Sequence, residues 1–176
     1  MTATRPASAA VAASAATAAP GRWAPGSLIV LVGPPASGKS VWTAERFPLT
    51  CRVSLDFFRG LLTDSEADQE ASDEALALRA LVLDGRLRRG RITVCDSTSI
   101  EPAARADLLA RARAHGRPAV AVLFTVPLAV CEARNAARAR TVPPHVVRDM
   151  HARLPTADDL LAEGFTAVHH PGSFTP

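Results

Sequence analysis

The sequence predicts an α/β fold, a parallel β-sheet with helices on both faces. Three observations carry that expectation. Continuous apolar runs without polar alternation, such as Ser27-Leu-Ile-Val-Leu-Val32, suit strands buried on both faces. Stretches with helical character separate these runs, as the crossovers between parallel strands require. At 176 residues, 48% of them hydrophobic, the chain can hold one such domain with its own core.

Residues 1–25 come first: Ala, Ser, Thr and Pro with two arginines and no acid. By composition this is a flexible tail, and the domain is assigned to 26–176. A secretory signal would need a more apolar stretch. Ser27 to Val32 is the first strand, ending at Gly33. Gly38 through Val41, Trp42, Ala44 and Phe47 reads as a helix stopped by Pro48. Cys51 to Leu55 is the second strand and Phe57 to Leu62 a short helix. Thr63 to Glu74 is an acidic loop in which Ser72 is placed to cap the next helix, with Asp73 and Glu74 in its first turn. That helix runs to Arg89 and Gly90 ends it.

Arg91 to Ser97 is the third strand, with Ile92, Val94 and Cys95 as core residues. The helix from Glu101 to His115 carries Pro102 in its first turn and stops at Gly116. Val120 to Val126 is the fourth strand and Leu128 to Arg138 the helix after it. An Arg-, Thr- and Pro-rich break follows at Ala139 to Pro144. His145 to Leu154 and Thr156 to Glu163 read as helices, and Gly164 precedes a last strand at Thr166 to His169.

The net charge is +3, compatible with nucleotide or nucleic-acid partners and diagnostic of neither. Nearly all the cations are arginines, and Lys39 is the only lysine. A lone lysine in such a chain marks a place that needs a compact, strongly hydrated point charge. Cys51, Cys95 and Cys131 have no paired spacing, which fits buried thiols in a reducing cytoplasm. No apolar run approaches the length of a membrane span, so no membrane partner is expected.

Gly33-Pro-Pro-Ala-Ser-Gly-Lys-Ser40 fits the Walker A pattern G-x-x-x-x-G-K-[ST], set between a predicted strand and a predicted helix. The fold class is therefore refined to a P-loop NTPase-type sheet. Gly33 and Gly38 allow close approach and unusual backbone angles. Pro34 and Pro35 have no N–H, so the donors for phosphate fall to Ala36, Ser37, Gly38, Lys39 and Ser40, leading into a helix N-terminus. Lys39 is expected to reach the β- and γ-phosphates of a nucleotide, ATP by preference. Ser40 is expected to bind Mg²⁺.

Asp96, at the end of the third strand, lies where α/β folds bind ligands, and is a second candidate for the Mg²⁺ site; a turn cap is the plainer use of such a residue. Val53-Ser-Leu-Asp-Phe-Phe-Arg59 supplies a carboxylate at the end of strand two and an arginine three residues on. If strand two borders the P-loop strand, Asp56 faces the γ-phosphate and suits a general base, with Arg59 gripping a phosphate on the acceptor. An N-terminal cap with an i,i+3 ion pair is the other reading, and spacing alone does not choose. Phe57 and Phe58 have two uses, stacking on a base or packing on the sheet. Arg134 and Arg138, four apart on a helix, share a face before a Pro-broken segment able to hinge, with Arg140 beside them; solvated arginines complementing a helix C-terminus are the plainer reading.

The order of these motifs resembles the polynucleotide 5′-kinase family, the kinase domains of bacterial and phage nucleic-acid end-healing enzymes. The resemblance rests on Gly33…Lys39-Ser40, Ser54-x-Asp56-x-x-Arg59-Gly60, Val94-x-Asp96-Ser-Thr98 and Val130-Cys-x-x-Arg134-Asn135-x-x-Arg138, within Leu28 to His170. The acidic Asp64 to Gln69 stretch and Glu163-Gly-Phe165 are also similar. Ser99 departs from it, standing where the family commonly has Asn. The resemblance implies Asp56 as general base for a 5′-hydroxyl, Arg59 on the acceptor's phosphate, and Arg134 and Arg138 in a helical lid clamping the donor phosphates. It implies an RNA or DNA 5′ end as partner.

Two other functions use the same phosphate cradle. One keeps the chemistry and takes a small-molecule hydroxyl, on a sugar, an antibiotic or a nucleotide-sugar. The other is an ATP-binding switch or ATPase that transfers nothing, against which the Asp56 and Arg59 pair counts.

Overall fold

The computed structural model describes residues 23–173. The strands are β1 (Leu28–Val32), β2 (Arg52–Val53), β3 (Thr93–Cys95), β4 (Ala119–Leu123) and β5 (Ala167–His169). They form one parallel sheet in the order β2-β3-β1-β4-β5. The helices are α1 (Lys39–Arg46), α2 (Leu55–Thr63), α3 (Ser72–Arg88), α4 (Pro102–Ala114), α5 (Leu128–Ala136), α6 (Pro144–Ala152) and α7 (Ala157–Glu163). The expected α/β class is what the chain adopts.

Period-two alternation divides β1 between two cores. Leu28, Val30 and Val32 pack with Leu83 and Leu87 of α3 and Leu108 of α4. Ile29 and Leu31 face Trp42 of α1, Phe47 and Phe124. Helices therefore cover both faces, and every β1 side chain is buried, which is why the run carries no polar position. Trp23, inside the stretch read as tail, packs against Trp42, Phe47 and His169 with ring centroids 5.6 to 6.5 Å away. Residues 1–22 of that stretch lie outside those described.

Three local expectations change. β3, not β2, borders β1, with Val30 in register with Cys95. β2 is only two residues long, and Asp56 sits in the first turn of α2 rather than at a strand end. Ser54 is the cap: its hydroxyl accepts from the Phe57 N–H, so the helix starts two residues earlier than the apolar pattern suggests. Ala71, not Ser72, occupies the cap position of α3, and no side chain caps it. Phe58 is buried in the core while Phe57 is 38% exposed.

Candidate active site

Because the strands are parallel, the loops leaving β1, β2 and β3 emerge at one edge of the sheet, and this is where the phosphate loop lies. Gly33 is fixed by space: a Cβ there would stand 2.8 Å from the Phe124 Cβ and 3.0 Å from the Ser37 Oγ. Its N–H donates to the Thr98 carbonyl at 3.0 Å, tying the loop to the end of β3. Ala36 and Gly38 take positive φ values of 60° and 97°, a conformation that costs Ala about 1–2 kcal/mol and Gly nothing. Of the amides expected to face phosphate, that of Ser37 turns back to the Pro34 carbonyl at 3.3 Å. Those of Lys39 and Ser40 open α1, where helical N–H groups have no partner within the helix.

Lys39 is 7% exposed and donates to the carbonyls of Gly33 (2.9 Å) and Pro34 (2.7 Å) and to the Ser37 hydroxyl (3.3 Å). Burial lowers its pKa to about 8, against the pull of Asp96 and with the help of Arg138. A buried ammonium so placed lacks a charge partner in the loop itself, which fits a site for anionic phosphate. The Ser40 hydroxyl donates to the Asp96 carboxylate at 3.3 Å. Burial pushes the Asp96 carboxyl up, the Ser40 hydrogen bond and Lys39 pull it down, and Asp56 pushes it up again. Among the described residues no group of three or more His, Cys, Asp or Glu could hold a metal. A hydroxyl and one carboxylate suit a hard cation such as Mg²⁺, which keeps several of its waters.

Asp56 is half-exposed, and both its oxygens are engaged. Arg59, one turn further along α2, pairs with Oδ1. Arg140 reaches Oδ2 at 3.4 Å. Arg59 is itself buried, at 6% exposure, and its Nε donates to the Glu66 carbonyl at 3.1 Å. The i,i+3 pair read from the sequence is thus present, and in this arrangement the Arg59 guanidinium is turned to Asp56.

On the other side of the phosphate loop a cavity of about 710 Å³ is lined by Ala36, Ser37, Gly38, Trp42, Arg134 and Arg138 among others. A Cβ on Gly38 would lie 3.7 Å from the Arg134 Nη1. Arg138 stands past the end of α5 rather than on its face, its N–H on the Asn135 carbonyl at 3.3 Å. The two arginines nevertheless flank one cavity. Asn135, 4% exposed, clamps the loop that follows: its Nδ2 donates to the Val142 carbonyl at 2.7 Å, and its Oδ1 accepts from the Val142 N–H at 3.0 Å. Neither this clamp nor the link from Arg140 to Asp56 is apparent from the motif spacing.

A family model described as an AAA domain matches residues 28–156, most of the chain and every site residue above. The chain belongs to the AAA domain family. Its fold is a parallel α/β sheet with a phosphate loop after the central strand. This AAA domain is similar to a chain of the Pnkp1/Rnl/Hen1 RNA repair complex, at 20% identity and a TM-score of 0.61, covering 73% of this chain and 43% of that one. A second structure of a Pnkp1/Rnl/Hen1 complex matches at 19% identity and a TM-score of 0.53, covering 66% of this chain and 40% of the other. The AAA domain thus spans less than half of each of these two chains, and the likeness is one of fold. No curated protein matches it in sequence. Among the described residues no helix is long and apolar enough to cross a membrane.

Proposed function

We propose that this domain is an ATP-dependent phosphotransferase that phosphorylates the 5′-hydroxyl end of RNA or DNA, with Asp56 as general base. The observation that carries the reading is a half-exposed carboxylate on α2, Asp56, held by Arg59 and Arg140 at the sheet edge that also bears Lys39 and the Ser40–Asp96 pair. A phosphate loop alone binds nucleotide, and transfer to a hydroxyl needs a base on the acceptor side as well. Asp56 takes the proton of the attacking hydroxyl. The new O–P bond forms to the γ-phosphorus of ATP as the bond to the bridging oxygen breaks, and ADP leaves.

Lys39 neutralises charge on the β- and γ-phosphates, which give its ammonium a direct anionic partner. Arg134 and Arg138 reach over the cavity from the lid and stabilise charge that develops during transfer. Ser40 and Asp96 hold Mg²⁺, which supplies charge neutralisation on the phosphate oxygens. Arg59 holds Asp56 in position, a role better suited to a buried guanidinium than gripping an acceptor. Free thiols at Cys51, Cys95 and Cys131, with Cys95 pushed up to about 12 by burial, suit a reducing compartment, and we assign the cytoplasm.

The nucleic-acid acceptor is favoured by the resemblance in motif order and by the fold shared with a chain of an RNA repair complex. Incubation with ATP labelled at the γ-phosphate and a 5′-hydroxyl oligonucleotide, beside a panel of small alcohols, tests it. Label is expected at the 5′ end of the oligonucleotide. Label only on a small alcohol would move the acceptor to the small-molecule class.

A further inference from the structure

Among the described residues the most deeply buried charge is one that the proposed chemistry does not use. Arg105, near the start of α4, is 2% exposed. Its Nε and Nη2 donate to the two carboxylate oxygens of Glu163, at 2.7 and 2.5 Å, the fork that suits a guanidinium and a carboxylate. Its Nη1 donates to two main-chain carbonyls, Ser99 at 2.9 Å and Ile100 at 2.6 Å. Glu163 closes α7, 58 positions along the chain. The guanidinium thus ties the end of α7 to the loop between β3 and α4.

That loop joins the pair to the nucleotide site. Asp96, the partner of Ser40, begins it, and the Thr98 carbonyl accepts the Gly33 N–H at 3.0 Å. Arg105 grips the next two carbonyls after Thr98. Ser99 itself takes a positive φ of 46°, a conformation that a residue with a Cβ keeps only where its surroundings hold it. A buried ion pair adds little stability over apolar packing of the same size. What the fork supplies is a fixed position for the two carbonyls it carries.

We propose that Arg105 and Glu163 are positioning residues for nucleotide binding. They set the loop after β3 so that Thr98 latches the phosphate loop and Asp96 meets Ser40. The inference rests on Ser40 and Asp96 holding Mg²⁺ and on Lys39 holding phosphate, and it makes no use of the acceptor. It brings α7 into the nucleotide site although no residue of α7 lines the cavity there. When the carboxylate is weakened, Arg105 is less firmly anchored and its hold on Ser99 and Ile100 slackens.

The test needs no acceptor. Glu163→Gln keeps the shape of the side chain, removes its charge and leaves one of its two acceptor oxygens. Leu160→Ala is the control, since it hollows the buried face of the same helix without touching the pair. Amide exchange at Gly33, and ATP affinity by calorimetry with and without Mg²⁺, are measured on both beside wild type. Glu163→Gln is expected to speed exchange at Gly33 about tenfold and to weaken ATP about tenfold with Mg²⁺, less without it. Leu160→Ala, though it lowers the melting temperature at least as far, should leave ATP affinity within about twofold. Equal effects of the two variants on ATP affinity would show a purely structural pair and overturn the proposal. So would a Glu163→Gln protein with exchange and affinity unchanged. Should Glu163→Gln fail to fold, Glu163→Asp, with the charge on a shorter arm, carries the same expectation at smaller size. Wild-type ATP affinity that ignores Mg²⁺ would refute the assignment of Ser40 and Asp96, and exchange at Gly33 would still decide for or against the pair.

Discussion

Lys39, the first residue of α1, and Asp96, the residue after β3, move each other's protonation in opposite directions: Asp96 holds the lysine proton on, and Lys39 helps keep the carboxyl ionised. Burial opposes the charged form of both. The site is thus under electrostatic tension that a bound nucleotide and cation would relieve, and its pH behaviour follows.

With a folded pKa of about 8 against 10.5 for an ordinary lysine, Lys39 binds fewer protons in the empty folded protein than in the unfolded chain between those values. Its contribution to stability therefore rises as pH goes from about 8 to 10.5. ATP needs the ammonium, so its affinity should fall as pH is raised above about 8, and binding there should take up a proton. Calorimetry at pH 7 and pH 9 in buffers of different ionisation enthalpy measures this. Equal proton uptake at both values would contradict the assignment.

Asp56→Asn keeps the size of the side chain and removes the base. Phosphoryl transfer should drop by about 10²–10⁴, the usual worth of a general base, while ATP affinity stays within about twofold. Loss of affinity on the same scale as loss of rate would refute the role. Lys39→Ala, in contrast, should reduce ATP affinity and rate together.

Arg59→Ala tests whether that residue positions Asp56 or grips the acceptor. Its guanidinium is buried between Asp56 and the Glu66 carbonyl, so its loss should cost about 1.5–3 kcal/mol of stability, the usual worth of a hydrogen bond to a charged group. If it positions the base, kcat falls with acceptor KM nearly unchanged. A rise in acceptor KM as the main effect would return Arg59 to the acceptor's phosphate.

Asn135→Asp is nearly isosteric but turns the donor at Val142 into an acceptor facing the Val142 carbonyl. The lid loop should loosen, with faster amide exchange at Val142 and a several-fold higher KM for ATP. Unchanged exchange at Val142 would show that the clamp does not order the loop.

How far the sequence foretells this site depends on how local each feature is. The phosphate loop is eight consecutive residues, and a strand, a glycine and the only lysine announce it. Asp96 is legible because it ends a run of core residues. The placement of β2 is not, because strand order depends on crossovers that no local pattern records; β3 lies between β2 and β1. Asp56 was read on a strand because Cys51 to Leu55 looks extended, and the Ser54 hydroxyl decides for a helix. Arg140 stands in a chain with many arginines and touches a residue 84 positions away. Nothing in its neighbourhood distinguishes it from Arg138.

The solitary lysine has a chemical consequence. These 176 residues offer a single ε-amino group, and burial lowers its pKa to about 8, which favours the unprotonated, nucleophilic amine at a lower pH than an ordinary lysine. An amine-acylating reagent small enough to enter the loop thus has one side-chain target, and it is the group we propose to hold the nucleotide's phosphates. Protection of that one amine by a bound nucleotide can be read from the mass of the intact protein, without a substrate, a product or a mutation.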